Sequence, residues 1–266
     1  MKTIKIAIAN QKGGVTKTTT AIEISSALAK KKKKVLLIDL DPQGQTASGL
    51  SVPKDEDTLT LGNLISNSKI NVETVIQETY IPNLHIIPSN KTLKVAIKLL
   101  EATPAGKGGG AVVTLRNKIK PIEDRYDFII IDTPPEFDIL TMSGLALAEY
   151  IITPMMLGKF EAEGAYELVE MINTCNKNIN TYIQHNATLF GVLITLYNPR
   201  AKLFKKKMRE IEAVFGDLIF QTKIPPNIRV MEAQDEGMSV QDYDSKCKAA
   251  IAYKSLAQEI ILKGAK

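Results

Sequence analysis

The sequence predicts a doubly wound α/β fold, a single mainly parallel sheet with helices on both faces. Three observations carry that prediction. Short continuous apolar runs recur along the 266 residues, "VLLID" at 35–39 and "FIIID" at 128–132 being the clearest; a strand covered on both faces reads this way, whereas a half-exposed strand alternates. Segments with helical spacing separate the runs, the alternation that builds strand–helix–strand crossovers. The first run ends in a glycine-rich turn that opens into a helical pattern, the first unit of such a sheet.

In order along the chain, "TIKIAIA" at 3–9 is a β-branched run that reads as the first strand. A helix is predicted over 17–30, with Ile22, Ile24 and Leu28 on the apolar side and small alanines that allow close packing. "VLLID" follows as the second strand; further buried strands are expected at 84–88, 128–132, 150–154 and 189–195, and a short one just before "KIPPNIR" at 223–229. Helices are expected at 89–101, 111–122, 138–148 and 161–176, and at 246–262, where Ala249, Tyr253, Leu256 and Ile260 share one face. "TPAGKGGGA" at 103–111 has the composition of a surface loop. It lacks a preceding strand and a Gly-Lys-Ser/Thr ending, so it is no second phosphate loop. One domain is expected over 1–266, with no internal repeat and no room before the first strand for an N-terminal helix-turn-helix domain.

Composition narrows the function classes. A chain that is 44% hydrophobic sustains a substantial core. Cys175 and Cys247 lack CxxC spacing, which argues against a disulfide framework, a zinc site and an iron–sulfur site. No signal-peptide pattern and no membrane-spanning apolar run is present, so a cytoplasmic location is expected. The net charge of +5 is concentrated in "KKKKK" at 30–34 and "RAKLFKKKMR" at 200–209. A solvated face is the ordinary reading of such runs; nucleic acid or an anionic membrane is the sharper one.

"KGGVTKTTT" at 12–20 follows a strand and opens a helix, the context in which a phosphate-binding loop is credible. In that reading the backbone amides of Gly13, Gly14, Val15, Thr16, Lys17, Thr18 and Thr19 face phosphates, where the helix dipole also favours negative charge. Lys17 reaches the β- and γ-phosphates of ATP, and the Thr18 hydroxyl ligates Mg²⁺. A tight strand-to-helix turn without ligand is the competing reading. Two acidic strand ends weigh against it. Asp132 closes "FIIID", and Asp39 and Asp41 close "LLIDLD". Ligands of open α/β sheets bind beyond the carboxyl ends of the strands, so all three elements converge on one edge.

On "NQKGGVTKTTTAIEISSALA", "VLLIDLDPQGQTASGL", "LHIIPSN", "YDFIIIDTPP" and "IPPNIRVMEA" the chain resembles the deviant-Walker P-loop ATPases of the ParA and MinD group, and within it the ParA/Soj partition ATPases. The resemblance runs from residue 3 to about 262 and is specific because Lys12 stands where this family has its second, signature lysine. It implies an ATP-sandwiched homodimer in which Lys12 reaches the partner's nucleotide. It also implies that Asp41 positions the attacking water; Asp132, by its place at a strand end, can hold a Mg²⁺-bound water. Asp39 is assigned a structural role or one beside the metal's ligands. Family members usually carry Gly before the P-loop lysine, where this chain has Thr16. If that position needs a positive φ, a β-branched residue costs roughly 1–2 kcal/mol there. Retention of Lys12, Lys17, Thr18, Asp41 and Asp132 argues for a working site; a nucleotide switch with little hydrolysis is the alternative.

The loops "LYNPRAK" at 196–202 and "KIPPNIR" match those that flank adenine in the family, with Asn198 as candidate base contact and a simple Asn-Pro turn as its bland counterpart. Lys202, Lys205, Lys206 and Arg209 share a helix face, while Phe204, Met208, Ile211 and Phe215 form a separate apolar stripe. A nearly pure basic face suits a phosphate backbone. The resemblance assigns Arg200 and Arg229 to nonspecific binding of double-stranded DNA, and a ParB-type protein as the partner that stimulates hydrolysis. It departs at Pro226, where the family often has another arginine. A MinD-like membrane ATPase is the rival from another class; it requires an amphipathic C-terminal tail, and the helix over 246–262 has its apolar face directed to the core. An iron-protein or reductase relative would need cysteines beside the nucleotide.

Overall fold

The computed structural model describes residues 2–55, 57–103, 109–136, 138–157, 161–200 and 202–265, and leaves aside the side chains of 161–165 and 202–204. The chain begins with β1 (Ile4–Ile8), α1 (Lys17–Lys30) and β2 (Val35–Asp39), the bounds that the apolar runs predict to within a residue. Next come α2 (Gln45–Ser48), α3 (Leu61–Ser66), β3 (Gln77–Glu78), β4 (Leu84–Ile87), α4 (Thr92–Ala102) and α5 (Gly110–Ile119). The central part holds β5 (Phe128–Asp132), α6 (Ile139–Leu147), β6 (Tyr150–Met156), α7 (Glu161–Asn180) and β7 (Thr188–Thr195). The chain closes with α8 (Lys202–Phe215), α9 (Ile228–Asp235), α10 (Val240–Tyr243) and α11 (Lys248–Gly264).

The strands form one seven-stranded sheet in the order β3-β4-β2-β5-β1-β6-β7. Every pairing is parallel except β3 with β4. β5 is buried along its whole length because successive side chains enter two different cores. Ile129 and Ile131 join the cluster formed with Leu64, Leu93, Leu115, Leu145 and Met171. Ile130 points the other way, to Ile22 and Leu28 of α1 and Tyr253, Leu256 and Ile260 of α11.

Several elements differ from the expectation. The segment expected as a strand before 223–229 makes the isolated bridge Val192↔Ile219, directly after the 3₁₀ turn Gly216–Leu218, and no ladder. The helix expected over 111–122 ends at Ile119 and tightens into a 3₁₀ turn over Lys120–Arg125, where Pro121 supplies no amide for the α-helical ladder. The loop proposed at 103–111 falls largely on residues 104–108, outside the described residues. The lysine run at 30–34 forms the turn that ends α1: Lys32 adopts φ +63°, and the amides of Lys31, Lys32 and Lys33 return to Leu28 and Ala29. No helix among the described residues is long and apolar enough to cross a membrane.

Candidate functional site: a phosphate loop between acidic strand ends

The parallel register places the ends of three strands side by side: Ile8 pairs with Asp132, and Asp39 pairs with Asp132. The loop leaving β1 is pinned by Asn10, whose Nδ2 donates to the Pro154 carbonyl at 2.8 Å and whose Oδ1 accepts from the Lys12 amide at 2.9 Å. Gly14 adopts φ +73°, and a Cβ built on Gly13 or Gly14 would meet nothing within 4 Å. The backbone therefore borders open space where a phosphate chain can approach it. Lys17 is 7% exposed and curls over the loop, donating from Nζ to the Lys12 carbonyl at 3.1 Å. Burial lowers its pKa, and Asp132 and Asp41 act against that fall.

Thr16 occupies the left-handed region at φ +67° and ψ +28°, so the position does require a positive φ. Its carbonyl accepts the Thr20 amide at 2.8 Å and starts α1, while its hydroxyl is enclosed without a hydrogen-bond partner.

The acidic groups differ in role. Asp39 is fully buried and organises its neighbours: it accepts from the Asp41 amide at 2.8 Å and from the Thr46 hydroxyl at 2.5 Å. Burial pushes its carboxyl up to about 6, against the pull of these donors. Asp132 is equally buried, and neither carboxylate oxygen has a hydrogen-bond partner of normal geometry. Its pKa is raised well above the carboxylate range by burial and then by Asp39, with the Thr18 hydroxyl and Lys17 opposing. A cation near Asp132 relieves both costs. Asp41 is half-exposed at the cavity rim, its Oδ1 capped by the Gln43 amide at 2.9 Å.

These groups border a cavity of about 350 Å³ lined by Gly13, Gly14, Thr16, Lys17, Thr18, Thr19, Asp41, Gln45 and Pro135. A second cavity of about 390 Å³ shares Thr16 and Thr19 with it and continues between apolar walls, Leu196, Ile224, Pro225, Pro226, Val230 and Met231. A polar cavity joined to an apolar one has the shape a nucleotide needs, phosphates at one end and base at the other. Asn198 does not line either cavity: it is exposed, and its side chain accepts the Arg200 amide at 3.1 Å, an Asx turn. The apolar wall comes from Leu196, from the loop after Ile224 and from α9, so both loops expected to flank adenine border this cavity although Asn198 does not. No cluster of His, Cys, Asp or Glu among the described residues could hold a metal ion by itself. The donor set of Thr18 and the unpartnered Asp132 carboxylate fits Mg²⁺, an ion that keeps waters and takes phosphate oxygens alongside a few protein oxygens.

The family model described as an AAA domain matches residues 2–185. The chromosome-partitioning ATPase Soj of Treponema pallidum is 35% identical over 253 residues, covering 95% of this chain and 94% of that protein. The chromosome partitioning protein ParA of Caulobacter vibrioides strain NA1000 / CB15N is 34% identical over 259 residues, covering 96% and 93%. The chain belongs to the ParA/Soj family of partition ATPases. Among solved structures, cobyrinic acid a,c-diamide synthase from Mycobacterium smegmatis with bound ADP and magnesium superposes with a TM-score of 0.82 at 26% identity, covering 99% of this chain and 96% of that one.

This ParA/Soj ATPase uses ATP and Mg²⁺. Mg²⁺ bound with ATP supplies charge neutralisation at the terminal phosphates. The chain's residues are placed for the rest: the loop amides and Lys17 border the cavity where they would meet a phosphate chain, Thr18 and Asp132 would offer oxygens to the metal and its water, and Asp39 fixes the turn that carries Asp41. In such a site positioning and electrostatics do the catalytic work. Relieving Thr16 tests the loop's strain directly. Thr16→Gly removes roughly 1–2 kcal/mol of left-handed strain and returns about 0.5–1 kcal/mol through the freer unfolded chain. The nucleotide-free protein is therefore expected to gain about 0.5–1 kcal/mol in urea unfolding; a loss of stability would show that the loop accommodates threonine without strain.

The basic surface of this ParA/Soj ATPase lies on α8 and the start of α9. Lys205, Lys206 and Arg209 are exposed on α8, while Met208, Ile211 and Phe215 are buried, the two stripes the spacing predicts. The side chains of Lys202 and Phe204 lie outside the described residues. Lys207 is paired with Glu210 at 2.6 Å. Arg200 is exposed. Arg229 is also exposed but engaged, 2.7 Å from Glu232 and 3.7 Å from Asp244.

Proposed function

We propose that this ATPase forms an ATP-sandwiched homodimer, binds double-stranded DNA without sequence preference in that state, and lets go after hydrolysis stimulated by a ParB-type partner. The observation that carries the reading is the exposed row Lys205, Lys206 and Arg209 with Arg200 nearby in sequence, on a helix whose other stripe is buried. A helix anchored by its apolar face and cationic on the other presents charge to a phosphate backbone without having to reorganise. Arg229, assigned to DNA by the resemblance, lies at the start of α9, the helix whose Val230 and Met231 line the apolar cavity. Nucleotide and DNA thus act on one element. Lys12 serves the partner's phosphates, which makes catalysis conditional on dimerisation. The chain works as a single ATPase domain in the cytoplasm at the nucleoid. α11 commits Ala249, Tyr253, Leu256 and Ile260 to the core, which weighs against a membrane anchor formed from that stripe. The strained Thr16 favours, as a second reading, a switch that turns over slowly.

The test is binding of a random-sequence duplex with ATP-Mg²⁺, with ADP-Mg²⁺ and without nucleotide, across a salt series. Tight binding is expected with ATP alone, with log K falling against log salt at a slope of about −4 per protomer if four or five cations meet phosphates. Equal affinity in all three states would overturn the reading.

A further inference from the structure

One stripe of α1 is tied to the stretch that links α9 to α10. Thr19, Glu23, Ser26 and Lys30 succeed one another at helical spacing along the helix that the phosphate loop opens. The Thr19 hydroxyl accepts from Gln234 Nε2 at 2.9 Å, and Glu23 Oε1 accepts from the Val240 amide at 2.8 Å. The Ser26 hydroxyl donates to that of Ser239 at 3.0 Å, and Lys30 pairs with Asp242. The Ser239 hydroxyl in turn donates to Asp242 at 2.8 Å, and its amide donates to the Tyr80 hydroxyl at 2.7 Å.

Glu23 stands in the middle of this seam, fully buried, and nothing in the nucleotide chemistry uses it. Its Oε1 satisfies the first amide of α10, a helix whose N-cap residue, Ser239, makes no side-chain capping bond. Its Oε2 is enclosed and has no hydrogen-bond partner of normal geometry, the Gln241 side chain acting on the carboxyl more weakly. At the other end of the linked stretch, Gln234 ties α9 to Thr19, a residue that lines both cavities.

We propose that Glu23 is a positioning residue: it fixes α9, and with it the wall of the apolar cavity and the cationic Arg229, in register with the phosphate-loop helix. This rests on the nucleotide and DNA assignments above. Burial pushes the Glu23 carboxyl up to about 8; the Val240 amide, the Gln241 side chain and Lys30 oppose the rise and Asp242 adds to it. Tyr80 and Tyr253 also face it, with phenols whose own pKa values are raised. Near neutral pH the group therefore carries its proton. Because its folded pKa exceeds the ordinary carboxylate value, its contribution to stability is complete below that value and is lost as pH rises through about 8. Above that pH the charge at the enclosed Oε2 is relieved by parting α10 from α1, which releases α9.

The experiment titrates fluorescent ADP with Mg²⁺ into the full chain at pH 7 and pH 9, with melting curves alongside, for the unmodified protein, Glu23→Gln and Glu23→Leu. The unmodified protein is expected to lose affinity about ten-fold, equivalent to about 1.4 kcal/mol, between the two pH values. Glu23→Gln keeps an oxygen for the Val240 amide and has no charge to acquire, so it should match the unmodified protein at pH 7 and show no loss at pH 9. Glu23→Leu should bind weakly at both. Affinity that is independent of pH in the unmodified protein, or that falls equally in Glu23→Gln, overturns the proposal, and so does a Glu23→Leu protein that melts lower yet binds ADP normally. Should Glu23→Leu fail to fold, the comparison of the other two decides. Absence of binding by the unmodified protein at pH 7 would instead overturn the nucleotide assignment itself, and this proposal with it.

Discussion

Lys17→Ala is expected to reduce affinity for ADP-Mg²⁺ at least about a hundred-fold, equivalent to about 2.7 kcal/mol. The residue makes two contributions that alanine removes together. Its ammonium is a buried positive charge beside a cavity that Asp41 borders, with the charge of Asp132 also felt there, so it offsets repulsion between those two groups and an incoming phosphate chain. It also closes the loop through its bond to the Lys12 carbonyl at 3.1 Å, which presets the amides that receive the phosphates. Charge-assisted hydrogen bonds of this kind are worth roughly 1.5–3 kcal/mol each, which is the scale of the expected loss. Arginine restores the charge but its planar fork is too wide for a turn that a compact ammonium bridges, so Lys17→Arg should not rescue binding. Titration with a fluorescent ADP is the measurement; affinity within ten-fold of the unmodified protein would remove Lys17 from its assigned role.

Asp41→Ala is expected to do the opposite, keeping nucleotide affinity while slowing hydrolysis about 10²–10⁴-fold, the usual range for a positioned base. The neighbouring turn supports that separation. Asp39 braces the backbone here through Thr46 and the Asp41 amide, so truncating Asp41 removes its bond from the Gln43 amide but leaves that brace, and with it the main shape of the cavity, in place. What is lost is a carboxylate at the rim, able to orient a water toward the terminal phosphate. Phosphate release in a single turnover reads the step directly. Hydrolysis at the unmodified rate would exclude Asp41 from the mechanism, and a parallel loss of affinity would mean that it acts on binding instead.

The parts of the site that were legible in the sequence are those fixed by the sheet itself. "VLLID" and "FIIID" announce buried strands because parallel strands covered on both faces have no polar face to show, and an acidic residue closing such a run must lie at the carboxyl edge. The positive φ of Thr16 was foreseeable from its place before the loop lysine. The two loops that border the apolar cavity, through Leu196 and through Ile224, Pro225 and Pro226, were legible from the resemblance; the share of α9, Val230 and Met231, was not, since only tertiary packing brings that helix to the cavity. Glu23 escaped for a related reason: a glutamate within an amphipathic pattern reads as solvent-facing, and only the packing of α10 over it makes it buried. β3 is two polar residues that become a strand by borrowing the free edge of β4, so no local signal exists for it.

The position of β1 in the sheet has a consequence for synthesis on the ribosome. Its partners are β5 and β6, whose pairings run from Ile4↔Phe128 to Ile8↔Ile152. β2, β4 and β3 lie together in sequence and can associate while the chain is short. β1 emerges first and has no neighbour until more than a hundred further residues have been made, about 6–25 s at bacterial elongation rates. For that interval the strand that leads into the phosphate loop is unpaired, a natural client for a chaperone and a starting point for misassembly. The phosphate loop therefore gains its shape late although it is encoded early, and ligand can begin to stabilise the nascent protein only once the strand ending in Asp132 has been made.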